Sequence, residues 1–251
     1  MKRGPADTEC VVGLGAAHAV LRARPRDVLN IAHTQSARAA LRELLRQAAR
    51  HRIAYREVDP DELGRIAGTV HHEGVCLLVR RRTDVKLAVL REALTQGGLL
   101  LALDRVENPH NVGALLRSAA WFGVAGLVIA GPHDARGLPP SAVRVAEGGA
   151  EFVPTCFVPA LAPALAQLAK SGVAIVGADA GVGTPITDYV FPPRAVLVLG
   201  SERHGLAPEV KQHCTALVHI EGTDRVESLN VSVAAGIMLA FATRPRGARA
   251  T

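Results

Sequence analysis

The chain has no CxxC pair. Its four cysteines, Cys10, Cys76, Cys156 and Cys214, are scattered along 251 residues, a spacing that argues against a zinc knuckle or a disulfide framework and fits a reducing cytoplasm. Long apolar runs are also missing. The longest, around residues 231–242, is too short to span a bilayer, and no apolar stretch follows the basic residues of the N-terminus, so neither a membrane protein nor an export signal is expected. No internal repeat and no low-complexity tract is present. What the chain does have is apolar content: 49% of residues are hydrophobic, enough to exclude disorder and to build one large or two modest cores.

Its net charge of +6 is unevenly placed. Residues 1–97 carry 17 Lys and Arg against 11 Asp and Glu, whereas residues 98–251 carry 12 of each. Within the basic part Arg38, Arg42, Arg46 and Arg50 recur every fourth residue, which on a helix lines up one guanidinium stripe. Such a stripe suits a phosphate backbone, and it equally describes a solvated helix face.

Two rhythms divide the sequence. In the first part a helix near 16–23 leads to a strand at 28–32, the arginine-striped helix over 36–50 and a strand at 53–57. A short helix after Asp59 and a strand at 75–79 complete a small α/β sandwich. A polar break at 80–84 and a short helix before Gln96 suggest a linker. The second part alternates more strictly. Strands are expected at 99–104, 126–130, 173–177, 196–199 and 217–220, and helices at 112–122, 141–147, 161–170, near Ala207 and at 229–243. Continuously apolar strands separated by helices predict a parallel sheet covered on both faces. Ligands of such sheets gather beyond the carboxyl ends of the strands. That rule gathers residues 107–111, 200–205 and 221–230 on one rim.

These rim segments are polar islands in apolar surroundings. Asn108-Pro109-His110-Asn111 precedes the helix carrying Arg117, and Gly200-Ser201-Glu202 follows an apolar strand. Ser228-Leu229-Asn230 opens a helix whose later turns are apolar on every side, so Ser228 or Asn230 is its expected cap. A helix apolar all round belongs inside the subunit or against a second copy.

Taken in order, residues 108–117, 197–206 and 220–236 resemble the three signature motifs of the SpoU, or TrmH-like, branch of the SPOUT RNA methyltransferases, and the match is closest to a YfiF-like subgroup. The resemblance covers essentially all of residues 99–243. It implies an α/β parallel-sheet domain over 99–251 with a deep trefoil knot, a homodimer formed through it, S-adenosyl-L-methionine as methyl donor, and transfer to ribose 2′-hydroxyls of ribosomal or transfer RNA. Residues 1–82 are similar to the L30e-like substrate-binding domain that precedes the catalytic domain in several bacterial members, with 83–98 as linker. The same resemblance assigns Asn111, Arg117, Glu202, Ser228 and Asn230 to the catalytic site. It assigns Leu199, Gly200, Gly205, Ile220, Gly222 and Leu229 to the cofactor, and Arg38, Arg42, Arg46 and Arg50 stand as candidate RNA contacts. No metal is implied. Arginine is always protonated, so Arg117 is expected to clamp a phosphate and stabilise alkoxide charge, with its service as a base left open.

One stretch departs from the pattern. The usual Ile-Pro-Met followed by Gly reads here Ile220, Glu221, Gly222 and Asp224, which frees the loop and removes an apolar wall from the adenine pocket. That leaves a non-catalytic RNA-binding or assembly factor as the alternative. A dinucleotide fingerprint at residues 13–18 fails at His18, its third glycine position. His71, His72 and Glu73 have no partner ligands at metal spacing and read as a turn.

Overall fold

The computed structural model describes residues 7–131, 137–223 and 225–244. Its contacts divide the chain into two compact units: one holds the chain up to Thr83 together with Leu138–Phe152, the other Asp84–Gly137 and everything from Val153.

The first unit is built on a four-stranded mixed sheet in the order β1-β4-β2-β3, from β1 (Thr8–Val12), β2 (Val28–His33), β3 (Ala54–Glu57) and β4 (Val75–Arg80). β4 runs antiparallel to both β1 and β2, and β2 pairs in parallel with β3. Helices α1 (Leu14–Ala23), α2 (Arg42–Arg50) and α3 (Pro60–Ala67) complete it. The helix expected over 36–50 begins only at Arg42, because residues 35–41 are turns. Thr34 Oγ1 shares a hydrogen bond with Ser36 Oγ at 3.0 Å and accepts from Ala37 N at 3.4 Å. Hydroxyls bonding locally compete with a helix start in this way.

The later segment Leu138–Phe152 joins this unit through buried charges. The Glu151 carboxylate, 3% exposed, receives Arg24 Nε at 2.7 Å and Arg82 Nη1 at 3.1 Å. Arg82 Nη1 also donates to Ala150 O at 2.7 Å, and Arg24 pairs with Glu9 at 3.1 Å. Each ion is desolvated only because its partners are in place, so removing one partner costs about 3–5 kcal/mol.

The second unit carries a seven-stranded sheet, parallel throughout, in the order β7-β6-β5-β10-β8-β11-β9. Its strands are β5 (Gly98–Asp104), β6 (Gly126–Ala130), β7 (Thr155–Val158), β8 (Ala174–Ala178), β9 (Thr184–Pro185), β10 (Arg194–Gly200) and β11 (Ala216–His219). Two of these, β7 and β9, exceed the five expected. Both lie at the sheet's edges, and β9 is only two residues long. One face is covered by α4 (Leu87–Ala93) and α7 (Leu161–Lys170), whose Leu90, Leu161, Leu165 and Leu168 bury with Leu94 against Leu100, Val196 and Val198. On the other face α5 (Pro109–Trp121) packs against α9 (Val231–Ala242). Short helices α6 (Pro140–Val145), in the first unit, and α8 (Pro208–Lys211), in the second, complete the set.

Helix α9 is only partly covered within one chain. Val231, Ala235, Met238 and Leu239 are buried, but Val233 is 51% exposed, and nearby in sequence Leu229 is 43% exposed. Trp121, at the end of α5, is 85% exposed. Among the described residues no helix is long and apolar enough to cross a membrane. The tail after Thr243, expected to lack structure, lies outside the described residues from 245 onward, as does Asp224.

Candidate active site

Because every strand of the large sheet points the same way, the segments that follow β5, β10 and β11 emerge on one rim. At the first, Asp104 ends β5 almost fully buried, and Asn108 caps α5 by accepting from His110 N at 2.9 Å with Pro109 at the first helical position. Arg105 sits between them with a left-handed φ of 58°. Its Nε lies 3.4 Å from Asp104 Oδ1 and its Nη2 donates to Gly205 O at 3.3 Å.

The segment after β10 is a closed loop. Ser201 and Gly205 form an isolated antiparallel bridge, with Gly205 N donating to Ser201 O at 2.9 Å, and His204 N donates to Ser201 Oγ at 3.3 Å. Asp104 Oδ2 anchors the loop's far end by accepting from Ala207 N at 2.7 Å. Gly200 is obligatory here: a Cβ would stand 2.2 Å from the carbonyl carbon of Gly205.

All three segments meet at Glu202. A single carboxylate oxygen, Oε1, accepts from Asn230 Nδ2 at 2.6 Å, Asn111 Nδ2 at 3.2 Å and Val231 N at 3.2 Å. The last bond sets a negative charge on the N-terminus of α9, where the helix dipole favours it. Asn230 Nδ2 also donates to Asn111 Oδ1 at 3.1 Å, while Asn230 Oδ1 caps α9 by accepting from Ser232 N at 3.0 Å and Val233 N at 3.4 Å. Beside this node lies a cavity of about 420 Å³, whose lining includes Arg105, Asn108, Asn111, Glu202, Arg203 and His204.

The other residues singled out from the sequence lie elsewhere. Arg117 is exposed on α5 and absent from the cavity lining. It follows Asn111 by six positions, which turns it to another side of the helix. Ser228 stands exposed in the loop before α9; the cap is Asn230. Leu199 is buried in β10, Ile220 is half-buried, and Gly205, Gly222 and Leu229 are exposed; none of these lines the cavity. In the loop after β11 the backbone N–H groups of residues 221–223 and 225–229 meet no acceptor among the described residues.

In the first unit Arg42, Arg46 and Arg50 lie exposed on α2, while Arg38 belongs to the preceding turns. Arg38 pairs with Glu57 at 3.3 Å and Arg46 with Glu43 at 2.7 Å. Arg42 and Arg50 have no ion-pair partner among the described residues. Sequence reasoning missed Asp104 and Arg105. The available signal was a charged pair closing the apolar run of β5, where a strand end meets the rim.

Residues 98–240 match the model of the SpoU rRNA Methylase family, and residues 10–85 match that of the RNA 2′-O ribose methyltransferase substrate-binding family. Among curated proteins the chain is 35% identical over 243 residues to "Uncharacterized tRNA/rRNA methyltransferase YfiF" of Escherichia coli O157:H7, covering 95% of this chain and 69% of that protein. It is 35% identical over 239 residues to the 23S rRNA (guanosine-2′-O-)-methyltransferase RlmB of Neisseria meningitidis serogroup B, covering 94% and 95%. The SpoU methyltransferase AviRb of Streptomyces viridochromogenes, crystallised with AdoMet, shares its fold, with a TM-score of 0.77 over 95% of this chain and 90% of that one at 24% identity.

Proposed function

The chain belongs to the SpoU rRNA methylase family, and from that premise we propose that it transfers a methyl group from S-adenosylmethionine to a ribose 2′-hydroxyl of structured ribosomal or transfer RNA in the cytoplasm. The observation that carries this reading is the node at Glu202, where residues from three distant segments share hydrogen bonds beside a cavity.

The donor supplies an activated methyl and its own leaving group, so the protein's work is chiefly orientation. The unmet N–H groups of residues 221–223 and 225–229 fit an acceptor-rich adenosine, and with Leu199, Gly200, Gly205 and Ile220 they would hold it. Glu202, Asn111 and Asn230 fix the rim segments against one another. Ser228 stands in the same loop as a polar contact for the site. Arg117 clamps the target's phosphate or alkoxide. Its outward direction on α5 supports a homodimer in which it serves the site of a second copy, and the apolar surface at Trp121, Leu229 and Val233 suits that pairing. The deep trefoil knot belongs to the same proposal, supported by β10 lying between β5 and β8; a crystallographic chain trace through residues 194–231 checks it.

Residues 1–82 act as the RNA-selecting domain, with Leu138–Phe152 packed in the same unit, and residues 99–251 outside that segment act as the catalytic domain. The stretch 83–98 runs between them and contributes α4 to the large sheet's cover, while Arg38, Arg42, Arg46 and Arg50 lie on phosphates. Replacing Arg42 and Arg50 with alanine is expected to lower the slope of log affinity against log salt by roughly one per lost phosphate contact. An unchanged slope moves the RNA contact to another surface. The central test is ribose-methylation mapping of total RNA from cells with and without the gene, complemented by the wild type, Arg117→Ala or Trp121→Glu. A site restored by the wild type, reduced about 10²-fold or more by Arg117→Ala and lost with the dimer in Trp121→Glu is the expected outcome. No site differing between the strains would leave the non-catalytic RNA-binding factor in its place.

A further inference from the structure

A ribose hydroxyl is a poor nucleophile, and a positioned proton acceptor speeds its attack. The residues of the node are badly suited to that task. Asn111 and Asn230 are neutral amides, and Glu202 spends one carboxylate oxygen on three N–H donors. The guanidinium groups of Arg105 and Arg203 on the cavity wall stay protonated, and Arg105 is tied to Asp104 as well.

His204 differs from all of these. It lines the same cavity, its backbone is held by Ser201 Oγ, and neither ring nitrogen has a partner among the described residues. Imidazole is the side-chain type that exchanges protons near neutral pH. The charged groups on the lining around it are Glu107, Glu202, Arg105 and Arg203.

We propose that His204 takes the proton of the ribose 2′-hydroxyl as methyl transfer proceeds. The inference rests on the reading of the site as a ribose methyltransferase. In the balanced step the hydroxyl gives its proton to a free ring nitrogen while its oxygen bonds to the methyl carbon. The carbon–sulfur bond breaks with its electron pair kept by sulfur, leaving a methyl ether, a neutral thioether and an imidazolium.

The test compares the full-length wild type with His204→Gln. In single-turnover methylation of an RNA that the wild type modifies, the wild-type rate is expected to fall as pH drops through the imidazole range. The variant is expected to lose about 10²–10⁴-fold at pH above that range and to lose the acid limb, with KM for RNA unchanged. A second readout needs no methyl donor. The His204 ring signal in a ¹H–¹³C spectrum, identified by its loss in His204→Gln, is expected to shift when the same RNA is added, while the remaining signals of the variant show an intact fold. An unchanged rate, an acid limb retained in the variant, or a ring signal indifferent to RNA each overturns the assignment. Absence of any methylation by the wild type overturns the ribose-methylation reading itself, and this inference with it.

Discussion

Two loops share one rim of the parallel sheet and are built on opposite terms. In residues 201–207, after β10, three backbone N–H groups tie the loop down: Gly205 N donates to Ser201 O, His204 N to Ser201 Oγ, and Ala207 N to buried Asp104. In residues 220–230, after β11, the backbone donors up to Leu229 meet nothing in the described chain, and order returns only where Asn230 caps α9. Unpaired main-chain groups are tolerable because that loop is exposed and water can serve them. One loop is closed by its own hydrogen bonds; the other leaves its backbone donors open to solvent.

The largest expected break of this contrast is Gly200→Ala. The new methyl would meet backbone that is itself bonded on both sides, so chemical denaturation should register a loss of about 3 kcal/mol or more. Next comes Asp104→Ala. It leaves the Ala207 N–H and the Arg105 guanidinium without their carboxylate, for a loss of about 1–3 kcal/mol by the same measurement. The smallest is Gly222→Ala on the open loop, where no described atom lies within 4 Å of the added Cβ. Stability should stay within about 0.5 kcal/mol, while calorimetry with S-adenosylmethionine reports a weaker complex. If Gly222→Ala destabilised the protein as much as Gly200→Ala, the two loops would not differ in kind.

Much of the fold is written in local patterns. Strand β6 and helix α7 match their expected bounds because each is a compact apolar run between clear breaks. Helix α2 starts late because hydroxyls at Thr34 and Ser36 satisfy nearby groups before a helix can, a competition that the arginine spacing conceals. Strand β9, two residues long, is too short to carry a period, and the sheet's edges recruit it and β7. The motifs named Asn111, Glu202 and Asn230, but their shared hydrogen bonds span 91 and 28 positions and are a product of topology. Asp104 and Arg105 escaped notice for the same reason, since their partners at Gly205 and Ala207 lie about a hundred residues away.

The segment carrying Glu151 has a consequence for biosynthesis. A growing chain that has reached Thr83 holds all four strands of the first sheet, yet Arg24 and Arg82 must wait for a carboxylate not made until residue 151. Ribosomes deliver roughly 5–20 residues per second, so for several seconds the nascent first unit waits, with Glu9 the carboxylate already made that pairs with Arg24, before translation supplies Glu151.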